Sequence, residues 1–538
     1  MFPTFDPETK VWSGPQQPPI YNPEASFGQI LLTTLNRNPT KVIQIDGDTG
    51  RTMTCEEMRL RAIRGAQNLT SLGYKQGDMV AMACANSENV APMVVALLTI
   101  GAPLNTLAPN YGLDDLVHML GITQPKLVFC DVSNYETVKK AINLSVKQTP
   151  EIYVFESDSI DVKSADDLLK ETGKELMFFP PFLGSSQTQV GLILCSSGTM
   201  GLPKGVSLSH AHLITAYGHG FVQSSWGLAF NFSALYWASG VYFLLHSLVN
   251  GDPRLITRKS FSADAFYDLL EKYPIRCFLT PPAYAHLLLR DPRAKTAKWS
   301  SIAVWSIGGS FVPEKIRCAI DNVLPNGKTC IGYGNSETAG ATFDMWKQKP
   351  NSVGLLMPNF NAKIVDEDGN SLTNGKQGEL LLKFNVSILG YYNNPEATAA
   401  AIDAEGWFHT GDNAYFDEEG FLFLTDRKKE LLKYLGYQIS PTDLEAIVSR
   451  IDGVEQVCVV GLPDEYQTTD LPAAVIVKTE GNELTEEDVL RIVHEQVADY
   501  KKLRGGVFFL SQFPLTSNGK VLRRELREII LNMVNSRT

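Results

Sequence analysis

The ten residues Ser196-Ser197-Gly198-Thr199-Met200-Gly201-Leu202-Pro203-Lys204-Gly205 close a short apolar run at 190–195. Their three glycines let the backbone turn its N–H groups toward an anion. The hydroxyls of Ser196, Ser197 and Thr199 add donors and Lys204 adds positive charge, so the string has the composition of a phosphate cradle. It is not a Walker A loop: counted from Gly198, positions 203–205 would have to read Gly-Lys-Ser/Thr, and they read Pro-Lys-Gly. Nor is it a GxGxxG turn. The chemistry it suits is the handling of a phosphate-bearing small molecule.

Four more strings follow in order along the chain: Tyr333-Gly334-Asn335-Ser336-Glu337-Thr338, Gly406-Trp407-Phe408-His409-Thr410-Gly411-Asp412, Asp426-Arg427-Lys428-Lys429-Glu430-Leu431-Leu432-Lys433 and Pro514-Leu515-Thr516-Ser517-Asn518-Gly519-Lys520. With SSGTMGLPKG they resemble the signature loop, the YGxTE, GWxxTGD and hinge elements and the terminal PxTxxGK of the adenylate-forming superfamily. That superfamily comprises acyl-CoA synthetases, firefly-type luciferases and peptide-synthetase adenylation domains. The string LLKYLGYQISPTDLEAI is most similar to the insect luciferase-like and coumarate-type branch.

The resemblance implies two half-reactions. In the first, a carboxylate attacks the α-phosphate of ATP to give an acyl-adenylate and pyrophosphate. Two anions about 4 Å apart repel by about 4 kcal/mol at an effective dielectric near 20. The resemblance sets Lys520 between them, a positioned donor worth roughly 10²–10³ in rate. Read alone, Ser-Asn-Gly-Lys is a turn with a solvated lysine. The resemblance also puts Ser196, Ser197, Gly198, Thr199, Gly201 and Lys204 on the phosphates, Thr199 among the catalytic groups. Tyr333, Gly334, Asn335 and Ser336 fall against the nucleotide, and Glu337 on Mg²⁺, a hard cation that takes oxygen ligands. Asp412 is matched to the ribose hydroxyls, Arg427 to the ribose or phosphates, and Gly308, Gly309 and Ser310 to the adenine and acyl side. In the second half-reaction the acyl group passes to the thiol of coenzyme A. The C-terminal part rotates about Lys429 and presents Lys433 and Gly436. A charged stretch at this place is also what a plain linker looks like.

Three departures from the family pattern stand out. Met200 replaces a hydroxyl residue of the loop. Trp237 stands where luciferases and coumarate ligases carry a histidine; with Tyr236 it points to an apolar acid and counts against light emission. The chain ends Ser536-Arg537-Thr538, which keeps two positions of a Ser-Lys-Leu peroxisomal address and changes the last. The expected protein is therefore an ATP-dependent ligase joining a medium- or long-chain fatty acid to coenzyme A. An arylpropenoate ligase and a catalytically weak acyl-binding relative are the alternatives.

The elements that must hold these residues follow a strand–helix rhythm. The stretch 41–54 alternates apolar residues around Gly-Asp-Thr-Gly and predicts a hairpin. Thr54 caps a predicted helix with an acidic first turn, and Ser87 opens another. Strands are predicted at 78–84, 126–131, 190–197, 276–282 and 303–309. Such alternation implies α/β architecture with mostly parallel, doubly covered sheets and ligands beyond the strands' carboxyl ends. Residues 361–425 read as short strands of a small barrel, and the pattern returns to α+β after Asp426. The expected division is a large adenylation domain, 1–425, and a smaller mobile C-terminal domain, 426–538.

Composition adds exclusions. The chain has 538 residues, 44% hydrophobic and 20% charged, with net charge −11, which argues against a nucleic-acid binder. Its eight cysteines never form CxxC and mostly sit in apolar runs, as expected of buried, reduced thiols. The first thirty residues lack the pattern of a signal peptide, so an intracellular protein is expected, peroxisomal or cytoplasmic. One local anomaly remains. Residues 205–251 hold no Asp, Glu, Lys or Arg, where about nine would be average. Histidines, glycines and amides interrupt this run, so it predicts a buried pocket wall rather than a membrane span.

Overall fold

The structure, a computed structural model, describes residues 2–18, 21–22, 24–157, 161–197, 203–217, 225–309, 312, 314–427, 432–439, 441–464, 468–479, 481–514 and 523–535. Within these, the side chains at 197, 283, 315, 425–427, 442, 446 and 524 lie outside the description.

Two large sheets build the first part of the chain. The seven-stranded sheet runs Pro203–Ser209, Val190–Ser197, Leu104–Thr106, Val80–Ala83, Leu127–Asp131, Glu151–Phe155, Lys163–Ser164, parallel except for its first pair. The nine-stranded sheet has Cys277–Thr280, Val304–Gly308 and Lys328–Asn335 as parallel neighbours, and ends in the antiparallel pair Val42–Asp46 and Thr52–Thr54. These strands read as continuous apolar runs because both faces are covered. In Leu127–Asp131, Leu127 and Phe129 enter one core cluster while Val128 and Cys130 enter another; Val80 and Met82 part from Ala81 and Ala83 in the same way. Side chains alternate across a strand, so one run feeds two cores.

The central core lies between the sheets. It unites the helices Phe27–Arg37, Cys55–Ser71, Val90–Ile100 and Ala238–Asn250 with Leu127 and Leu192 of one sheet and Ile43 and Met53 of the other. Every residue of Val90–Ile100 is buried, as a helix apolar on all sides must be. The expected cap at Thr54 forms: its side chain accepts from the Glu57 N–H at 3.2 Å. The helix expected to open at Ser87 starts at Val90 instead, with no side-chain cap. Helix burial, not capping, holds that end.

The region read as a small barrel is an antiparallel sheet of Phe360–Val365, Gly378–Phe384, Phe408–Phe416 and Leu422–Arg427. It recruits two N-terminal strands, Thr4–Asp6 and Val11–Ser13, that the sequence pattern did not predict. Trp12 stacks on Phe416 at 5.5 Å, so burial of one indole brings the N-terminus in. Beyond residue 432 the three-stranded sheet Val454–Pro463, Asp470–Lys478, Gly506–Leu510 carries its own apolar clusters on both faces. Seven of the eight cysteines are buried; Cys318 is exposed, contrary to expectation, on the outer side of the helix Glu314–Val323. Among the described residues no helix is long and apolar enough to cross a membrane.

Candidate active site

The strands Val190–Ser197 and Pro203–Ser209 pair antiparallel, with Ser196 opposite Lys204. The two strands that flank the glycine-rich string thus pair at the edge of the seven-stranded sheet. Ser196 and Lys204 both line one large cavity of about 1120 Å³. The Lys204 ammonium sits 4.8 Å from the centre of the Tyr391 ring, and the Tyr391 hydroxyl donates to Glu337 Oε1 at 2.8 Å. One ring therefore spaces the cation from the carboxylate. Burial, with Glu337 beside it, pushes the Tyr391 phenol well above its ordinary pKa, so it stays protonated and acts as a donor.

Tyr391 is a site residue that the sequence reading missed. It is fixed by chain segments far apart: Ser207 N–H donates to the Gly390 carbonyl at 2.9 Å, and Tyr392 N–H to that of Gly205 at 2.7 Å. Its only local signal is a tyrosine pair after Leu-Gly, which marks no chemistry.

The nine-stranded sheet delivers Tyr333, Gly334, Asn335, Ser336 and Glu337 to the same cavity from the end of Lys328–Asn335. A Cβ at Gly334 would overlap the Ala339 carbonyl, so only glycine lets the chain double back into Ala339–Phe343. Asn335 Oδ1 accepts from the Thr338 N–H at 2.8 Å and stiffens that turn. The Tyr333 hydroxyl donates to Asp412 Oδ2 at 2.7 Å, joining strands of two sheets through two buried side chains. Asp412 is further set by its own N–H donating to Thr410 Oγ1 at 3.1 Å. Tyr333, read from the sequence as a ring beside adenine, has a second task here as the donor that aims a carboxylate.

The acid-sized side of the cavity begins at Gly308 and Gly309, beyond the strand Val304–Gly308. The uncharged run 205–251 supplies much of its wall: Tyr217, Trp226, Tyr236, Trp237, Tyr242 and Phe243. Leu279 and Phe343 add apolar surface. A charged side chain in this wall would lose its hydration without a partner, which explains the missing charges. His246 backs the wall, stacked on Trp226 at 3.6 Å; burial pulls its imidazole down to about 3, so it is neutral.

The small hairpin of Leu432–Tyr434 and Tyr437–Ile439 reaches the cavity from the C-terminal part. Leu435 and Gly436 turn it with φ of 47° and 87°, and Gly436 meets that demand without strain. Lys433 and Gly436 line the cavity, and the Lys433 ammonium donates to the Gly309 carbonyl. Aromatic rings continue the contact. Tyr236 meets Trp237 at 4.9 Å, Trp237 meets Tyr437 at 4.8 Å, and Tyr437 stacks on Tyr500 at 4.2 Å. An ion pair closes it: Lys501 Nζ lies 3.0 Å from Asp115 Oδ1 and 3.4 Å from Asp443 Oδ2.

Of the residues predicted from sequence, Ser196, Lys204, Tyr236, Trp237, Gly308, Gly309, Tyr333, Gly334, Asn335, Ser336, Glu337, Asp412, Lys433 and Gly436 line this one cavity. Gly198, Thr199, Gly201, Ser310, Lys429 and Lys520 lie outside the described residues, as do Met200 and the chain end 536–538. Ser197 and Arg427 are described by backbone only; the Arg427 Cα pairs with that of Asp412 across adjacent strands. Among the described residues no cluster of three His, Cys, Asp or Glu side chains is arranged to hold a metal. Glu337 lines the cavity with one carboxylate oxygen already bonded to Tyr391, which fits Mg²⁺ held by one protein carboxylate together with substrate phosphates.

Residues 31–392 match the model of the AMP-binding enzyme family, and residues 443–520 match that of the AMP-binding enzyme C-terminal domain. The chain is 31% identical to a 4-coumarate–CoA ligase-like protein 6 of Arabidopsis thaliana, over 92% of this chain and 88% of that one. It is 32% identical to the luciferin 4-monooxygenase of Nipponoluciola cruciata, over 86% of each. Among solved structures it is similar to the luciferase-like enzyme from the nonluminescent Zophobas morio mealworm. That match has a TM-score of 0.71 at 25% identity and covers 78% of this chain and 99% of that one. With the strand pair flanking the glycine-rich string, the Tyr333–Asp412 pair and the C-terminal hairpin around one cavity, these matches make the chain a member of the AMP-binding, adenylate-forming enzyme family.

Proposed function

We propose that this protein is an AMP-forming acid–CoA ligase acting on an apolar carboxylic acid, a medium- or long-chain fatty acid by its uncharged wall. The observation that carries the reading is the meeting, in one cavity, of Ser196 and Lys204, a positioned acceptor carboxylate and the aromatic wall supplied by the uncharged run 205–251. Ser196 and Lys204 bind the phosphates of ATP, and Asp412, aimed by Tyr333, accepts from the ribose hydroxyls. Glu337, steadied by Tyr391, would hold Mg²⁺, which supplies charge neutralisation on the phosphates when bound. The acid's carboxylate oxygen attacks the α-phosphorus, and pyrophosphate leaves. Lys520 is assigned to bridge those two anions.

The coenzyme A sulfur, as thiolate, then attacks the acyl carbon, and AMP departs with the C–O bond electrons. The hairpin carrying Lys433 and Gly436, packed against Gly309 and Trp237, favours assignment of the present arrangement to this second step. We place the boundary between the two units near residue 426, with Lys429 as the pivot between arrangements. A second reading, an arylpropenoate as the acid, is favoured by the number of rings in the wall. The Arabidopsis relative is named a 4-coumarate–CoA ligase-like protein.

Pyrophosphate release over a panel of fatty and aromatic acids, with and without coenzyme A, tests the reading. Lys520→Ala is expected to remove adenylate formation, by roughly 10²-fold or more, while sparing thioester formation from supplied acyl-adenylate. Equal loss of both steps would overturn the role of Lys520. Acid-independent pyrophosphate release would overturn the ligase assignment.

A further inference from the structure

The outer edge of the strand Pro203–Ser209 is closed by two different partners. This strand ends the seven-stranded sheet, with Val190–Ser197 on its inner side. Backbone groups of alternate residues point to the same side of a strand, so those of Pro203, Gly205 and Ser207 face outward together. The segment 389–392 satisfies two of the three. Leu389 N–H donates to the Ser207 carbonyl at 2.9 Å, Ser207 N–H to that of Gly390 at 2.9 Å, and Tyr392 N–H to that of Gly205 at 2.7 Å. The chain then turns, with Asn394 N–H donating to the Tyr391 carbonyl at 3.0 Å, and the Pro203 carbonyl is left to a side chain. His118 Nε2 lies 2.9 Å from it. A carbonyl only accepts, so Nε2 carries the proton and donates.

His118 sits on the helix Leu113–Thr123, whose Leu116, Met119 and Leu120 pack into the core cluster with Ala81, Val128 and Cys130. The helix is therefore a fixed post, and it holds both pieces of the edge. His118 takes Pro203, and the Ile122 carbonyl, four residues further on, accepts from Asn393 Nδ2 at 3.0 Å. Between these two bonds stand two groups that line the cavity, Lys204 and Tyr391, with the ammonium 4.8 Å from the ring centre.

We propose that His118 is a positioning residue for Lys204: its bond to the Pro203 carbonyl fixes the strand end from which Lys204 reaches the phosphates of the nucleotide. Pro203 is buried, so its carbonyl, released from His118, has to move toward water or stay unpaired. Either response shifts the backbone one residue from Lys204. The inference rests on, and deepens, the assignment of Lys204 to the phosphates of ATP, and His118 itself touches no substrate. The nucleoside end is assigned to Tyr333 and Asp412, on other strands, so the two ends of the ligand report separately.

Calorimetry on the full chain, with ATP and with adenosine, tests it. In His118→Leu the Kd for ATP should rise roughly 3- to 10-fold, the size of one hydrogen bond, while that for adenosine stays within about twofold. His118→Gln, which still carries a donor, should bind ATP within about twofold of the unaltered chain. On a Lys204→Ala background His118→Leu should add nothing to the loss of ATP affinity, because its effect runs through that lysine. Equal weakening of ATP and adenosine, or losses that simply add to those of Lys204→Ala, would mean general loosening and overturn the inference. Unchanged ATP affinity in His118→Leu overturns it too, and leaves the ligase reading standing. His118-dependent ATP binding without acid-dependent pyrophosphate release upholds the inference and sinks the ligase reading.

Discussion

Asp115 is expected to control the second half-reaction and not the first. It lies in the first turn of the helix Leu113–Thr123, and its carboxylate meets Lys501 of the C-terminal part at 3.0 Å. The two side chains are 9% and 13% exposed, so salt screens the pair little. At an effective dielectric near 20 the gross attraction is about 5 kcal/mol. Desolvation offsets much of it, and a charge-assisted bond contributes about 2 kcal/mol net. Asp115→Asn keeps the shape and an acceptor oxygen and removes only the charge, while Lys501 retains Asp443. The docked arrangement should lose about 2 kcal/mol, or roughly 30-fold in population. Thioester formation from supplied acyl-adenylate should slow by about that factor, and carboxylate-dependent pyrophosphate release by less than about twofold. Loss of the acidic residue from a helix N-terminus also costs about 0.5 kcal/mol, but this falls on both steps alike. A uniform decline in both rates, or an unaltered thioester rate, would refute the link between this ion pair and docking.

Tyr391→Phe keeps the ring beside Lys204 and deletes the donor to Glu337. The Mg²⁺ concentration giving half-maximal adenylation should rise about fivefold, and an unshifted Mg²⁺ titration would show that Tyr391 does not steady that carboxylate. Three buried imidazoles make stability fall with acid. Burial lowers His210 and His212 to about 4 and His246 to about 3, from 6.5 in the unfolded chain. The unfolded chain binds protons that the native one refuses, so stability is complete above pH 6.5 and is lost as pH falls toward 4. Each of His210 and His212 accounts for about 3 kcal/mol across that window. Urea midpoints measured from pH 7 to 4 should decline throughout, and His246→Gln should flatten the slope by about one proton; an equal slope in that variant would sink the assignment.

Some of the site is written in short strings. The Ser196–Gly205 loop, the acidic first turn after Thr54 and the apolar strand runs depend on backbone freedom, local hydrogen bonds and periodicity. All of these act over a few residues and can be read without a fold. The uncharged stretch 205–251 announced a pocket wall for a similar reason, since a buried surface cannot carry unpaired charge.

Other features depend on chain segments that meet only after packing. Tyr333 and Asp412 are 79 residues apart, and Glu337 and Tyr391 are 54 apart. No local pattern encodes those bonds, because loop closure is driven by burial elsewhere in the core. The N-terminal strands enter a distant sheet through Trp12, and Cys318 is left in solvent by the rotation of its helix, a matter of which face finds a core. By itself the sequence determined the family, the glycine-rich string Ser196–Gly205 and the lack of charge in the stretch 205–251, because each needs only residue type and near spacing. Tertiary structure alone decided which tyrosine steadies which carboxylate and where Lys501 finds Asp115. Such partners are properties of packed surfaces, not of strings.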